Sequence, residues 1–427
     1  MWQVRKKWEG IMEYITSKNI CLLTKDILEL ADRRITDHGL AVGYIVYRML
    51  DASELFEEFE MAELSFIAVI HNIGGYRTDD IGELLKYGYR NYMPHSIYGY
   101  LFLKKLFPVS DYGKILLYHH MDYAQMEHVD YEFKFMSDYI HLADDVYTRR
   151  VESGNTFDYR SLQKYAGRKY SVKAYELLEK AVEEYQIFDR LDSGAYQDEM
   201  NRLMDFVLFR DDEKEKYLKM MMYCTGLLSS KVVTNTGICV CICEELAKRL
   251  GVSPAERHKL YLGALLHDIG MLQVPVEILQ KPGKLTEEER RIMQQHVERA
   301  EQILRGRFKD QQVVDIAVRH HERLDGSGYP AKVKGSRMDR LDRILQVADT
   351  VCGIAGERAY HPARSKEEVL RILQDEVDRK HLDSNIVNQL SRSYNEIMEC
   401  VKKESVRILV TYKQIEKQYE AARQRFC

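Results

Sequence analysis

The sequence predicts an all-α protein: two tandem copies of one helical domain, followed by a C-terminal helix. Three observations predict it. Only seven prolines interrupt 427 residues, and most apolar residues recur at spacings of three and four, the period of a helix face. A series of histidine and aspartate stations runs twice along the chain in one order. Two capping boxes, at Ser253 and Thr286, mark helix starts in the second half.

The repeat sets the domain order. The first half carries His38, His71-Asn72, His95, His119-His120 and Asp144. The second carries Asn235, His267-Asp268, His296, His320-His321 and Asp349. The gaps agree: 38 to 71 is 33 and 235 to 267 is 32, while 95 to 119 and 296 to 320 are both 24. The gaps before and after that step differ slightly, 24 against 29 and 24 against 28. The flanking words agree too, AVIHNIGG with ALLHDIGM and IHLADDV with LQVADTV. Self-similarity of this kind implies two copies of one unit. The expected organisation is a first copy over 1–195, a charged helical connector over 196–229, a second copy over 230–400 and a helix over 401–427.

Local signals place the second set of stations. Ser253-Pro254-Ala255-Glu256 combines a capping box with proline at the first helical position. The helix it starts delivers His267-Asp268 to its C-terminal end, with Gly270 as the stop. Lys281-Pro282-Gly283 is a turn, and Thr286 to Glu289 caps the helix that carries His296. In the last helix Ile408, Tyr412, Ile415, Tyr419, Ala422 and Phe426 step by four and three alternately, a heptad pattern. Two readings of that stripe stay open: packing against its own domain, or the seam of a homodimer.

Composition narrows the function. With 45% hydrophobic and 30% charged residues the chain is an ordinary globular protein. A net charge of -4 gives no basic footprint for a nucleic-acid polymer. No apolar run approaches the roughly 18 residues of a membrane span. The N-terminal MWQVRKKWEG lacks the apolar core of a secretory signal, so a cytoplasmic address is expected. Cys239, Cys241 and Cys243 alternate rather than follow a CxxC spacing, so they read as small buried residues in a reducing compartment.

The doubled stations carry the chemistry. Burying so many imidazoles and carboxylates is costly without a compensating partner, and a metal cluster supplies one. Imidazole with carboxylate suits iron, manganese, zinc or nickel. Asp268 can bridge two ions with its two oxygens while His267 binds one of them. Two ions about 3.5–4 Å apart lower the pKa of a bridging water from 15.7 towards about 7. The expected reaction is hydrolysis of a phosphate ester.

HDIG, KPGKLT, HHERLDGSGYP and VAD together resemble the HD-GYP branch of the HD phosphohydrolase superfamily. The resemblance covers 230–400. Residues 30–190 resemble the same domain without the Gly-Tyr-Pro loop, since MDYAQMEHVDY follows His119-His120. The resemblance implies an all-helical HD-type fold with two divalent ions, iron or manganese, held by His267, Asp268, His296, His320, His321 and Asp349. It implies hydrolysis of a cyclic dinucleotide, cyclic di-GMP in the first place, to linear pGpG or GMP. Gly328, Tyr329 and Pro330 match the loop beside the site, and Arg358 matches a substrate-phosphate contact. Diguanylate cyclase-type proteins of bacterial signalling are the macromolecular partners it implies.

Several positions depart from the family pattern. Its first histidine ligand falls on Asn235, an acidic residue four before it falls on Lys231, and a phosphate-binding lysine falls on Met271. A second basic position falls on His361. In the first copy Asn72 replaces the bridging aspartate, so that site, made of His38, His71, Asn72, His95, His119, His120 and Asp144, is expected to be weak or empty. Asn235 still offers an amide oxygen beside Asp268. Losing one charge-assisted contact at Met271 costs roughly 1.5–3 kcal/mol, about ten- to a hundredfold in rate. Two readings follow: a slow phosphodiesterase, or a module that binds nucleotide or protein partners without hydrolysis.

Overall fold

The computed structural model describes residues 14–77, 84–86, 91–106, 112–154, 156–226, 230–355 and 364–426. No β-strand occurs among them. The chain divides into two compact units. The first spans 20–217 with 413–426, and the second spans 218–412 with 14–19. The segment read as a connector, 196–229, is divided between them after Tyr217.

Five helices carry the stations of the first unit: α1 (Arg33–Ser53), α2 (Glu58–Val69), α3 (Met93–Leu106), α4 (Gly113–Tyr118) and α5 (Lys134–Glu152). Five carry those of the second: α6 (Ser230–Arg249), α7 (Pro254–Leu266), α8 (Glu287–Leu304), α9 (Gln311–Val318) and α10 (Arg340–Ala355). The packing repeats with the order. In the first unit α1 lies on α2 and α5, and α3 on α4. In the second, α6 lies on α7 and α10, and α8 on α9. The core of the second unit forms where α6 and α10 meet α11 (Lys366–Asp378), the helix Ser384–Arg392 and the start of α12 (Tyr394–Phe426). Cys239, Cys243 and Cys352 sit in that core as small buried residues, and no disulfide forms among the described cysteines.

The predicted starts are present. Ser253 Oγ accepts from Glu256 N at 3.3 Å while Glu256 Oε2 accepts from Ser253 N at 3.2 Å, with Pro254 at the first position. Thr286 and Glu289 form the same reciprocal pair at 3.2 and 2.7 Å. Each box satisfies two donors that a helix start otherwise leaves orphaned.

The predicted stop at Gly270 is corrected. Helix α7 ends at Leu266, and Gly270 lies inside a short 3-10 helix, Ile269–Gln273. Its role is close approach: a Cβ there would stand 2.0 Å from the carbonyl oxygen of His296. Gly74 makes the same approach to the carbonyl of His95, also at 2.0 Å. In both units a glycine lets the helix with the next histidine press its backbone onto the turn after the previous one.

Along α12 the stripe packs on the chain itself. Ile408, Tyr412 and Ile415 are buried, and the Tyr412 hydroxyl donates to the Tyr223 carbonyl at 2.9 Å. This is the first of the two readings the stripe left open. No helix among the described residues is long and apolar enough to cross a membrane.

Candidate metal centre

The ends of α7 and α9 set the orientation of the histidines of the second unit. The last turn of a helix leaves carbonyl groups without partners. His267, just beyond α7, uses one: its Nδ1 lies 2.7 Å from the Ala264 carbonyl. His320, just beyond α9, does the same with Ala317 at 2.6 Å. His296, within α8, meets the Met293 carbonyl at 2.6 Å. A carbonyl oxygen only accepts, so each Nδ1 carries a proton. Each Nε2 is then left to face inward, the outer-sphere arrangement of metal-ligating histidines.

That protonation pattern tests whether a cation fits. His296 Nε2 and His320 Nε2 lie 3.2 Å apart, both buried. Two neutral rings with their protons on Nδ1 bring two lone pairs face to face. Neither can donate to the other, and a positive ion between them resolves the conflict. Around this point stand two overlapping groups, His267, Asp268 and His320, and His296, His320 and His321, with ligand atoms within 4.8 Å of one another in each. Asp268 connects them: Oδ2 is 3.2 Å from His267 Nε2, and Oδ1 is 3.6 Å from His296 Nε2. Asp349 closes the far side, 3.9 Å from His267 Nε2 and 3.4 Å from His321 Nδ1. Neutral imidazole with carboxylate is the donor set of a borderline or hard divalent cation.

Charge is distributed to match. Burial alone would lower the His267 pKa, but the Asp268 carboxylate, with Asp349 behind it, overcomes burial and pushes it up to about 9. Burial would raise Asp268, yet the charge and hydrogen bond of His267 hold it far below the usual carboxylate range. Burial pushes Asp349 up to about 7 against the pull of His267. Burial takes His321 down to about 3 and lowers His296 and His320 as well.

A cavity of ≈ 500 Å³ opens beside the cluster, and His320 and His321 form part of its wall. The expected loop is there: Gly328 and Tyr329 line the cavity, and the Tyr329 ring lies 4.7 Å from that of His321. Sequence reasoning missed what holds the loop. Glu322, the residue after the histidine pair, is 1% exposed. Its carboxylate accepts from Ala331 N at 2.8 Å and Val333 N at 2.9 Å. Its place inside the HHE word was the available signal. Arg290 and Gln294, one helical turn apart on α8, also line the cavity and went unassigned. Pro330 and Met271 are both half-buried outside the cavity wall. Asn235 is half-buried on α6, and Arg358 and His361 lie outside the described residues.

The first unit assembles its stations differently. His71 and His119 again meet helix-end carbonyls, of Ala68 at 2.7 Å and Leu116 at 2.6 Å. His38, His71 and Asp144 form one group and His95, His119 and His120 another, with ligand atoms within 4.8 Å of one another in each. His38 Nε2 lies 2.7 Å from Asp144 Oδ1, and His120 Nδ1 lies 3.7 Å from Asp144 Oδ2. His95 Nε2 lies 3.3 Å from His119 Nε2, while His95 Nδ1 meets no acceptor. The His95 proton is therefore free to sit on Nε2 and donate to His119. Asn72, in place of the bridging carboxylate, buries an amide oxygen without a partner. Losing that charge also inverts the neighbouring histidine: burial lowers His71 to about 4, where His267 is raised to about 9. His141, three residues before Asp144, is a further buried imidazole of this unit.

Comparison with known proteins gives a family match and several likenesses. Residues 223–386 match the model of the HD domain family. The chain is 27% identical over 379 residues to 3'3'-cGAMP-specific phosphodiesterase 1 of Vibrio cholerae, covering 84% of this chain and 87% of that one. Over 130 residues it is 41% identical to 3'3'-cGAMP-specific phosphodiesterase 3 of the same organism, covering 30% of this chain and 28% of that one. It is 33% identical over 177 residues to the cyclic di-GMP phosphodiesterase response regulator RpfG of Xanthomonas campestris, covering 41% and 42%. Among solved structures, a cyclic GMP-AMP specific phosphodiesterase of V. cholerae superposes with a TM-score of 0.56 at 19% identity, over 90% of this chain and 98% of that one, a likeness of fold. Residues 223–386 thus match an HD domain, and the chain's HD pair, histidine stations and Gly-Tyr-Pro loop resemble the HD-GYP branch of that family.

Proposed function

We propose that the second unit is a metal-dependent phosphodiesterase that opens a cyclic dinucleotide to its linear form or to mononucleotides. The observation that carries this is the pair of buried imidazole lone pairs, His296 and His320, facing each other at 3.2 Å on the wall of a ≈ 500 Å³ cavity. His267, Asp268, His296, His320, His321 and Asp349 would hold the ions, iron or manganese. Bound there, divalent ions supply an activated water and stabilise the charge that builds on phosphoryl oxygens. The chain's own residues do the rest. Arg290 and Arg323 bring cations to the cavity wall, where a phosphate needs them. Glu322 keeps the Tyr329 loop closed over His321.

Cyclic di-GMP is the first substrate to assay, and 3'3'-cGAMP the second, because the relative that aligns along most of this chain is named for it. Metal content and hydrolysis are measured on the wild type and on Asp268→Ala, with Mn²⁺ and with Fe²⁺. The wild type should hold metal and turn over a cyclic dinucleotide, and the variant should do neither. Equal metal in both sinks the ligand assignment.

A second reading has its own observation. Asn235 offers a weaker ligand than imidazole where the family has histidine, and no cation stands at Met271. Metal-loaded protein that binds cyclic dinucleotide and leaves it intact would establish the non-hydrolysing module instead.

A further inference from the structure

The cavity beside the histidines is also lined from α10, α11 and the turn after α11. Three of these residues are aliphatic: Ile354 on α10, Ile372 on α11 and Leu382 just after it. Glu376 and His381 line it as well. His381 Nδ1 donates to Glu376 Oε2 at 2.8 Å, and its Nε2 faces Asp325 Oδ2 at 3.6 Å. The His381 carbonyl accepts from Leu324 N at 3.1 Å and from Gln346 Nε2 at 3.1 Å. The imidazole is thus tied to the segment that follows the His320-His321 pair, and it fixes the Glu376 carboxylate. The other oxygen, Oε1, has Arg379 at 4.0 Å as its ionic neighbour. An oriented acceptor in a cavity that also carries aliphatic side chains complements a flat ring with adjacent N–H donors on one edge.

We propose that the part of the cavity lined by these residues is a nucleobase subsite that selects guanine. Ile354, Ile372 and Leu382 cover the ring, and Glu376 accepts from the guanine N1–H and the exocyclic amino group. Adenine turns an unprotonated N1 towards the same carboxylate, so two acceptors meet and the base is rejected. The subsite rests on the cyclic-dinucleotide reading above and deepens it by naming the base.

Glu376→Gln replaces one acceptor oxygen by an amino donor. The amide pairs with adenine in two directions, donating to N1 and accepting from the exocyclic amino group. Calorimetric binding of GMP and of AMP to the Mn²⁺-loaded full chain reads the difference. The wild type should prefer GMP roughly ten- to a hundredfold, the size of one bidentate base contact. Glu376→Gln should reduce that preference by roughly fivefold or more with metal content unchanged. Ile372→Trp, on a half-exposed position, should weaken both nucleotides alike by filling the subsite. A wild type without preference, or a preference that survives Glu376→Gln, overturns the subsite. Hydrolysis of cyclic di-GMP is assayed on the same wild-type preparation. Hydrolysis without base preference overturns the subsite alone, whereas base preference without hydrolysis overturns the phosphodiesterase reading alone.

Discussion

Two residues of the second unit hold protons that a metal must displace. Asp349 is pushed up to about 7 and His267 up to about 9. A raised pKa favours the protonated form, so lowering the pH loads both groups and raising it empties them. Metal affinity should therefore weaken steadily as the pH falls from about 9 to about 6. Titration calorimetry with Mn²⁺ across that window checks it, and a flat Kd would remove both residues from the ligand set. Met271 offers a second test. It sits half-buried in the short helix Ile269–Gln273, so a lysine there keeps its charge near water. Met271→Lys should leave the melting temperature nearly unchanged and raise cyclic di-GMP hydrolysis by roughly 10–100-fold, one charge-assisted contact being worth about 1.5–3 kcal/mol. A folded, metal-loaded variant no faster than wild type would show that the missing cation is not what limits the rate.

At the scale of elements, the site depends on how closely α8 approaches the turn after α7. Gly270 makes that approach, and the atom a side chain would meet is backbone, which cannot swing aside. Gly270→Ala should push α8 outward and carry His296 away from His320. Overpacking of this kind costs typically 1–3 kcal/mol, a fall of several degrees in melting temperature for a unit of this size. The informative readout is metal, which should be lost by more than the drop in stability accounts for. Full metal content in the alanine variant would mean that α8 tolerates the shift. The loop after α9 depends on Glu322 in the same way, since one buried carboxylate ties two amides of the segment beyond Tyr329-Pro330.

At the scale of the whole molecule, one arrangement of helices carries two sets of stations with different outcomes. The first unit draws His38 to Asp144 and His95 to His119, while the buried Nε2 atoms of His71 and His120 keep no hydrogen-bond partner. Its His95–His119 pair needs no cation to resolve facing lone pairs, and Asn72 brings no charge to attract one. Metal in the wild-type chain should therefore reside in the second unit. Asn72→Asp should add metal per chain, and His71→Ala in the wild-type background should remove none. The reverse pattern would make the first unit a metal site in its own right.

The order of the stations, their spacing and the switch to a capping residue before α7 and α8 are local features, so the chain alone determines an all-α fold, two similar units and the set of candidate ligands. The HD pair and the Gly-Tyr-Pro word were legible for the same reason. Other facts depend on groups far apart in the chain, and only the tertiary structure decides them. Gly270 reads as a helix stop until the His296 carbonyl is seen 2.0 Å from where its side chain would be. Glu376 and His381 carry no signal in the sequence, and the structure places them in one cavity with His320. The stripe on α12 fits a dimer as well as it fits its own chain until Tyr412 meets the Tyr223 carbonyl. The difference between the two units belongs here too. Both present histidines in the same order, and whether their nitrogens face a donor, a carboxylate or another lone pair depends on angles and distances of a few tenths of an ångström, set by packing rather than by sequence order.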